Sequence, residues 1–236
     1  MALAILNDLY KKLLFQNFSI MPFKYLFLLS MSILLPIFAG IIRFRKISSI
    51  YHPFIYLLFI GILNEFASHW LNSKNQTTAF PTNIYFLIEG LILLWQFRIW
   101  KNILRNTTFF WLLFASFIAV WVYDYILLGN IVRFSLIYQL YYSLVIILLC
   151  ITEINRIIIN ERNSIIRNPI FIICIGIILF FSYKIMAEVF YCYAPKITMK
   201  KNIFVYEAYM NVVYNILLFI AILCIPPKKI FTRQLQ

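Results

Sequence analysis

The chain has 236 residues, 64% of them hydrophobic and 12% charged, with a mean hydropathy of +0.88. Soluble domains run near half apolar and a quarter charged, so this composition excludes a water-soluble enzyme, a disordered chain and a disulfide scaffold. The net charge of +13 does not mark a nucleic-acid binder, because the basic residues lie between apolar runs. There they set membrane topology and meet anionic headgroups, so the expected partner is a lipid bilayer.

At ~20 residues per spanning helix, the length fits about seven spans and leaves no room for a soluble domain. The fold expected is therefore an all-α, seven-transmembrane-helix bundle. Residues 1–23 place Leu6, Leu9, Tyr10, Leu13 and Leu14 on one helical face, with Asn7, Asp8, Lys11, Lys12 and Gln16 opposite. That pattern reads as an interfacial amphipathic helix rather than a cleaved leader.

The transmembrane domain follows over residues 24–227, with apolar runs at 24–42, 53–72, 81–100, 108–129, 133–152, 168–190 and 204–225. Pro36 falls inside the first run and is expected to kink it. Pro53, Pro81 and Pro169 sit at the start of three others, where a missing amide donor costs nothing. Residues 228–236 form a short tail. Alternate connections collect twelve Lys and Arg residues on one side and eight on the other. The positive-inside rule then puts the amino terminus outside and the carboxyl terminus in the cytoplasm. Richness in Ile, Asn, Lys, Phe and Tyr fits an AT-rich bacterial genome, hence a bacterial inner membrane.

The acids carry the most information. Of eight Asp and Glu residues, five (Glu65, Glu89, Asp124, Glu188 and Glu207) fall within the expected spans, whereas Lys184 is the one deep base among twenty-one. An acid at mid-membrane costs about 2.5–3.5 kcal/mol on insertion scales, so each needs a partner, a proton or water. With the spans alternating in direction, Glu65 and His69, Asn83 and Glu89, Asp124, Arg133 and Gln139, Lys184 and Glu188, and Glu207 and Asn211 all fall in the outer half.

Helical spacing gathers them into stripes. Gly61, Asn64, Glu65, Ser68 and His69 share one face of the second span. Tyr85, Glu89 and Gln96 do so on the third, Ser135, Gln139, Tyr142 and Ser143 on the fifth, and Glu207, Asn211, Tyr214 and Asn215 on the seventh. Lys184 and Glu188 are four residues apart and are expected to pair locally. Tyr85, Tyr138, Tyr142 and Tyr183 are the deep tyrosines. Acids beside aromatic faces suit a cationic ligand, by charge pairing and cation–π attraction.

Several chemistries are excluded or weakened. His52 and His69 are the two histidines, so a three-histidine zinc site is ruled out; Glu65 with His69 is the one pair with ligand spacing, and no metal is expected. The cysteines, among them Cys150, Cys174 and Cys224, form no C-x-x-C pair and read as small packing residues. A retinal protein of the familiar type needs a lysine in its last span, which residues 204–225 lack, so no cofactor is expected.

Leu63-Asn64-Glu65-Phe66, followed by the N-x-Y-x-x-x-E run Asn83-Ile84-Tyr85-Phe86-Leu87-Ile88-Glu89, resembles a pattern of small bacterial seven-helix integral membrane proteins with no established activity. Some of those are encoded beside sensor kinases. The resemblance spans roughly thirty residues, implies sensing, and marks Glu65, Asn83, Tyr85 and Glu89 as its positions. The leading expectation is thus a receptor-like membrane protein with an outward-facing acidic, tyrosine-rich pocket for a small ligand, cationic or lipid-derived. It would signal through a partner protein that reads the basic cytoplasmic face. The alternatives are a proton- or cation-coupled transporter or channel unit, an intramembrane lipid enzyme, and a purely structural polar network.

Overall fold

The computed structural model describes residues 23–74, 76–100, 104, 106–128, 136–160, 165–193 and 197–227. The expected interfacial helix before residue 23, Arg133, Ser135 and the tail from 228 lie outside these. The described residues are helical apart from short connections and one isolated antiparallel bridge between Ile47 and Pro227.

The first apolar run forms a broken helix. Helix α1 (Phe23–Ser30) passes through a 3-10 turn (Met31–Ile33) into α2 (Leu34–Arg43). The break precedes Pro36 and leaves that proline in the first turn of α2, where its missing N–H and its ring are tolerated. The expected kink is therefore a restart. Helix α3 (His52–Ser73) carries Pro53 in its first turn, and α4 (Ala79–Ile99) carries Pro81 there.

Helix α5 (Thr107–Trp121) starts on Asn106, whose side chain accepts from Thr108 N at 3.0 Å. It continues into a π-helical turn (Val122–Leu127). Helix α6 (Leu136–Asn160) runs eight residues beyond the expected span, so Glu153 is helical, fully buried and paired with Arg156. Helix α7 (Pro169–Tyr193) is capped by Asn168, which accepts from Ile170 N and Phe171 N. Helix α8 (Ile197–Cys224) is the longest, starting seven residues before the expected span.

Six of these helical segments are long and apolar enough to cross a membrane, the set of an integral membrane protein; the broken first segment is shorter. At most 44% of any span is buried, and Leu63, Trp111, Leu112, Leu148 and Leu223 point outward. Such an apolar exterior matches hydrocarbon, not water.

Sequential neighbours pack from α2 to α3, α3 to α4, α4 to α5 and onward to α8, and α8 returns to α1 and α2, closing the bundle; α4 also touches α6 directly. Close approach of α5 and α6 to α4 needs Gly90, since an added Cβ would lie 2.8 Å from Phe117 Cε1 on α5 and 3.3 Å from the Tyr138 hydroxyl on α6.

One end of the bundle is locked by two side-chain caps. The side chain of Gln96 accepts from Phe54 N at 2.9 Å and donates to Ile50 O at 2.7 Å, satisfying the start of α3 from α4. The Arg43 guanidinium donates to the carbonyl oxygens of Ile222, Leu223 and Ile225 at 2.5–2.8 Å, closing the end of α8 from α2. Both do what helix termini require when water is scarce.

Replacing Gln96 with Leu keeps the volume but strands the buried Phe54 N–H and removes the donor to the Ile50 carbonyl. A loss of about 2–4 kcal/mol is expected, read as a lower unfolding midpoint in detergent. Gly90→Ala forces Phe117 aside and should cost about 1–3 kcal/mol by the same measurement.

Candidate functional site

The end opposite the caps holds a cavity of ≈ 280 Å³ between α1, the 3-10 turn, α3, α4, α7 and α8. Its polar lining is Ser30, Asn64 and Glu65, Thr82, Tyr85 and Glu89, Lys184, and Glu207, Asn211 and Asn215. Leu57, Leu58, Phe86, Phe180 and Leu218 supply the apolar walls. Three carboxylates and one ammonium thus face one small space.

Each helix delivers its residues by simple periodicity. On α3, Leu57, Gly61, Asn64 and Glu65 recur at three to four residues; on α4, Thr82, Tyr85, Phe86 and Glu89 do the same. Gly61 keeps the wall thin, because a Cβ there would meet Ile33 Cδ1 at 2.9 Å and approach the Tyr85 hydroxyl at 3.5 Å. Asn215 Nδ2 donates to Ser32 Oγ at 2.8 Å, tying α8 to the helix break. That bond gives the Ser32 hydroxyl a partner on a neighbouring helix, as a polar side chain within a membrane requires.

The deep part of the site is a hydrogen-bonded chain. Lys184 Nζ donates to the Tyr142 hydroxyl at 2.7 Å, and that hydroxyl donates to Glu89 Oε2 at 3.2 Å. Tyr85 donates to the other carboxylate oxygen, Oε1, also at 3.2 Å. Lys184 Nζ stands 3.7 Å from the centre of the Phe86 ring, a cation–π seat. Glu89 and Lys184 are each 5% exposed, whereas Glu65 and Glu207 are only partly buried and so form the reachable rim.

The expected site residues divide into two groups. Glu65, Tyr85, Glu89, Lys184, Glu207 and Asn211 line the cavity, and Tyr142 stands behind its wall joining Glu89 to Lys184. The others lie elsewhere. Asp124 is fully buried on the π-helical turn and accepts from Tyr138 N at 2.8 Å, holding the start of α6. Asn83 and Gln139 are buried, and Asn83 O accepts from Trp121 Nε1 at 2.9 Å. His69 stacks on Phe27 with ring centres 3.9 Å apart.

Glu188 lies one turn beyond Lys184 and outside the lining, and the expected local ion pair does not form: Nζ turns to Tyr142 instead. Gln96, on the same stripe as Glu89, is a cap two turns away. Among the described residues, no group of three His, Cys, Asp or Glu side chains is placed to hold a metal. Ser30 and Ile33 are lining residues absent from the expected set, since neither carries a charge and no acid marks the first segment.

Removing the shared hydroxyl with Tyr142→Phe leaves Lys184 and Glu89 each short of a partner, at an expected cost of about 1–3 kcal/mol in unfolding free energy. In a double-mutant cycle with Lys184→Met, the coupling should be about 0.5–3 kcal/mol, because both changes break the same chain. No family model, curated protein or solved structure matches this chain, so its geometry alone carries the functional argument.

Proposed function

We propose that the protein is a seven-span receptor-like protein of the bacterial inner membrane that binds a small cationic ligand in the α3/α4/α7/α8 cavity. One observation carries this reading: Glu65, Glu89 and Glu207 converge on a ≈ 280 Å³ space that holds one counter-charge, Lys184. The formal charge of the lining is then −2, and Lys184 is already engaged with the Tyr142–Glu89 chain. Glu65 and Glu207 at the rim are left to meet an incoming cation. The apolar floor of Leu57, Leu58 and Leu218 suits a short hydrocarbon portion, and the volume sits at the low end for ligand sites, near ~300 Å³.

The broken α1–α2 segment is the seventh span in this reading. The twelve-to-eight charge bias puts the cavity end outside and the capped end in the cytoplasm. Arg98 and Arg167 lie toward the capped end, and the connections are too short for an output domain, so a signal would pass to a partner protein that reads helix displacement there.

Butyltrimethylammonium and butylamine are the first probes. Binding to the purified protein should raise its unfolding midpoint, and Glu65→Gln or Glu207→Gln should weaken binding about tenfold while leaving the unliganded midpoint nearly unchanged. A large fall in the unliganded midpoint with no probe response in the wild type would make the acids structural.

A further inference from the structure

Lys184 is a primary amine with an unusual setting. It is 5% exposed, lines the cavity, and has no carboxylate oxygen within 4.0 Å among the described residues. Its partners are a tyrosine hydroxyl and the faces of aromatic rings, with Phe86 the nearest at 3.7 Å. A lysine held for structural charge pairing would be expected against a carboxylate; this one is held with its nitrogen against a proton carrier and beside open space. Lysines desolvated in apolar pockets are the ones that serve as Schiff-base nucleophiles.

From this geometry we infer that Lys184 condenses reversibly with a small aldehyde or ketone entering the cavity, so that the positive charge of Lys184 is carried onto the bound ligand as an iminium. The inference rests on reading the cavity as a ligand pocket, and it adds to the cationic ligands a second class, a neutral carbonyl that becomes cationic only when joined to Lys184. The ammonium first passes a proton through the Tyr142 hydroxyl to Glu89, along the existing Nζ···Oη and Oη···Oε2 bonds of 2.7 and 3.2 Å. The freed nitrogen lone pair forms a bond to the carbonyl carbon, while the C=O π pair moves to oxygen, which takes up the proton that the nitrogen sheds as the neutral carbinolamine forms.

The carbinolamine then loses that oxygen as water. The nitrogen lone pair closes the C=N bond, and the departing hydroxyl takes the proton held on the Tyr142–Glu89 pair. One ammonium and one carbonyl give one iminium and one water, with nothing oxidised or reduced. The product keeps the single positive charge of Lys184, so its seat over Phe86 and the rim acids Glu65 and Glu207 remain complementary to it. Tyr142 is a positioning and proton-carrying residue here, and Phe180, Leu57 and Leu58 wall the space for the carbonyl's hydrocarbon part.

The test treats the full-length protein in mild detergent with limiting butanal or benzaldehyde and cyanoborohydride, then maps the reduced adduct by peptide mass. Of the twelve lysines, the exposed Lys74 is the internal standard. Lys184 should be modified about tenfold or more faster than Lys74, and Tyr142→Phe should slow that step about tenfold without changing the rate at Lys74. Lys184→Arg, which keeps the cation and removes the nucleophile, should abolish the fast phase.

Modification of Lys184 no faster than of Lys74 overturns the inference. The wild-type map decides this by itself if the arginine variant fails to fold. Binding of butyltrimethylammonium without a Lys184 adduct would overturn the covalent step and leave the ligand-pocket reading standing, and loss of both responses would remove both.

Discussion

Absence of water in the bilayer interior is the constraint on which the rest of this structure depends. A polar side chain there must find its partner within the protein or face a cavity that admits water or ligand. Glu89 and Lys184 meet that demand through Tyr142, which accepts from one and donates to the other. A direct ion pair would fix two charges against each other at a high desolvation cost. The intervening hydroxyl separates them, gives each a hydrogen bond, and leaves Nζ over the face of Phe86 at the cavity wall.

The same constraint explains the caps. Helix ends buried near other helices cannot leave their carbonyls and amides to solvent. Arg43 reaches the last turn of α8 and Gln96 the first turn of α3, so the two contacts tie α2 to α8 and α4 to α3 across the same end of the bundle. Asp124 does similar work in the middle of the chain, holding Tyr138 N where a π-helical turn rotates its side chain inward. These polar groups are spent on backbone. The acids of the cavity are not, and that difference separates structural polarity from a site.

Much of the site was legible from spacing alone. Six cavity residues, Glu65, Tyr85, Glu89, Lys184, Glu207 and Asn211, share helical faces that the period of 3.6 identifies, and all lie at similar depth once the spans alternate. What spacing cannot supply is the partner. Gln96 shares the stripe of Glu89 yet caps α3, and Lys184 sits four residues from Glu188 yet bonds to Tyr142 on another helix. Asp124 shares the depth of these residues, yet its helix contributes nothing to the cavity lining and its carboxylate holds Tyr138 N. The first segment was opaque for a different reason: Ser30 and Ile33 carry no charge, and their place in the wall follows from the break before Pro36.

The two ends of the bundle therefore differ in mechanical character. At the capped end, charged and amide side chains lock helix termini together, and an isolated bridge joins Ile47 to Pro227. At the cavity end, the links from the broken first segment to α8 are lighter, with Asn215 on Ser32 the principal one, and Gly61 lets Ile33 lie almost on the α3 backbone. This segment restarts before Pro36, packs Ile33 against Gly61 and lines the cavity at Ser30 and Ile33. That segment continues through α2 to Arg43, whose guanidinium closes the end of α8. The lock at one end and the cavity at the other are therefore joined through one short broken helix, whose break is held to α8 by a neutral side-chain bond and whose far end is held by a charged cap.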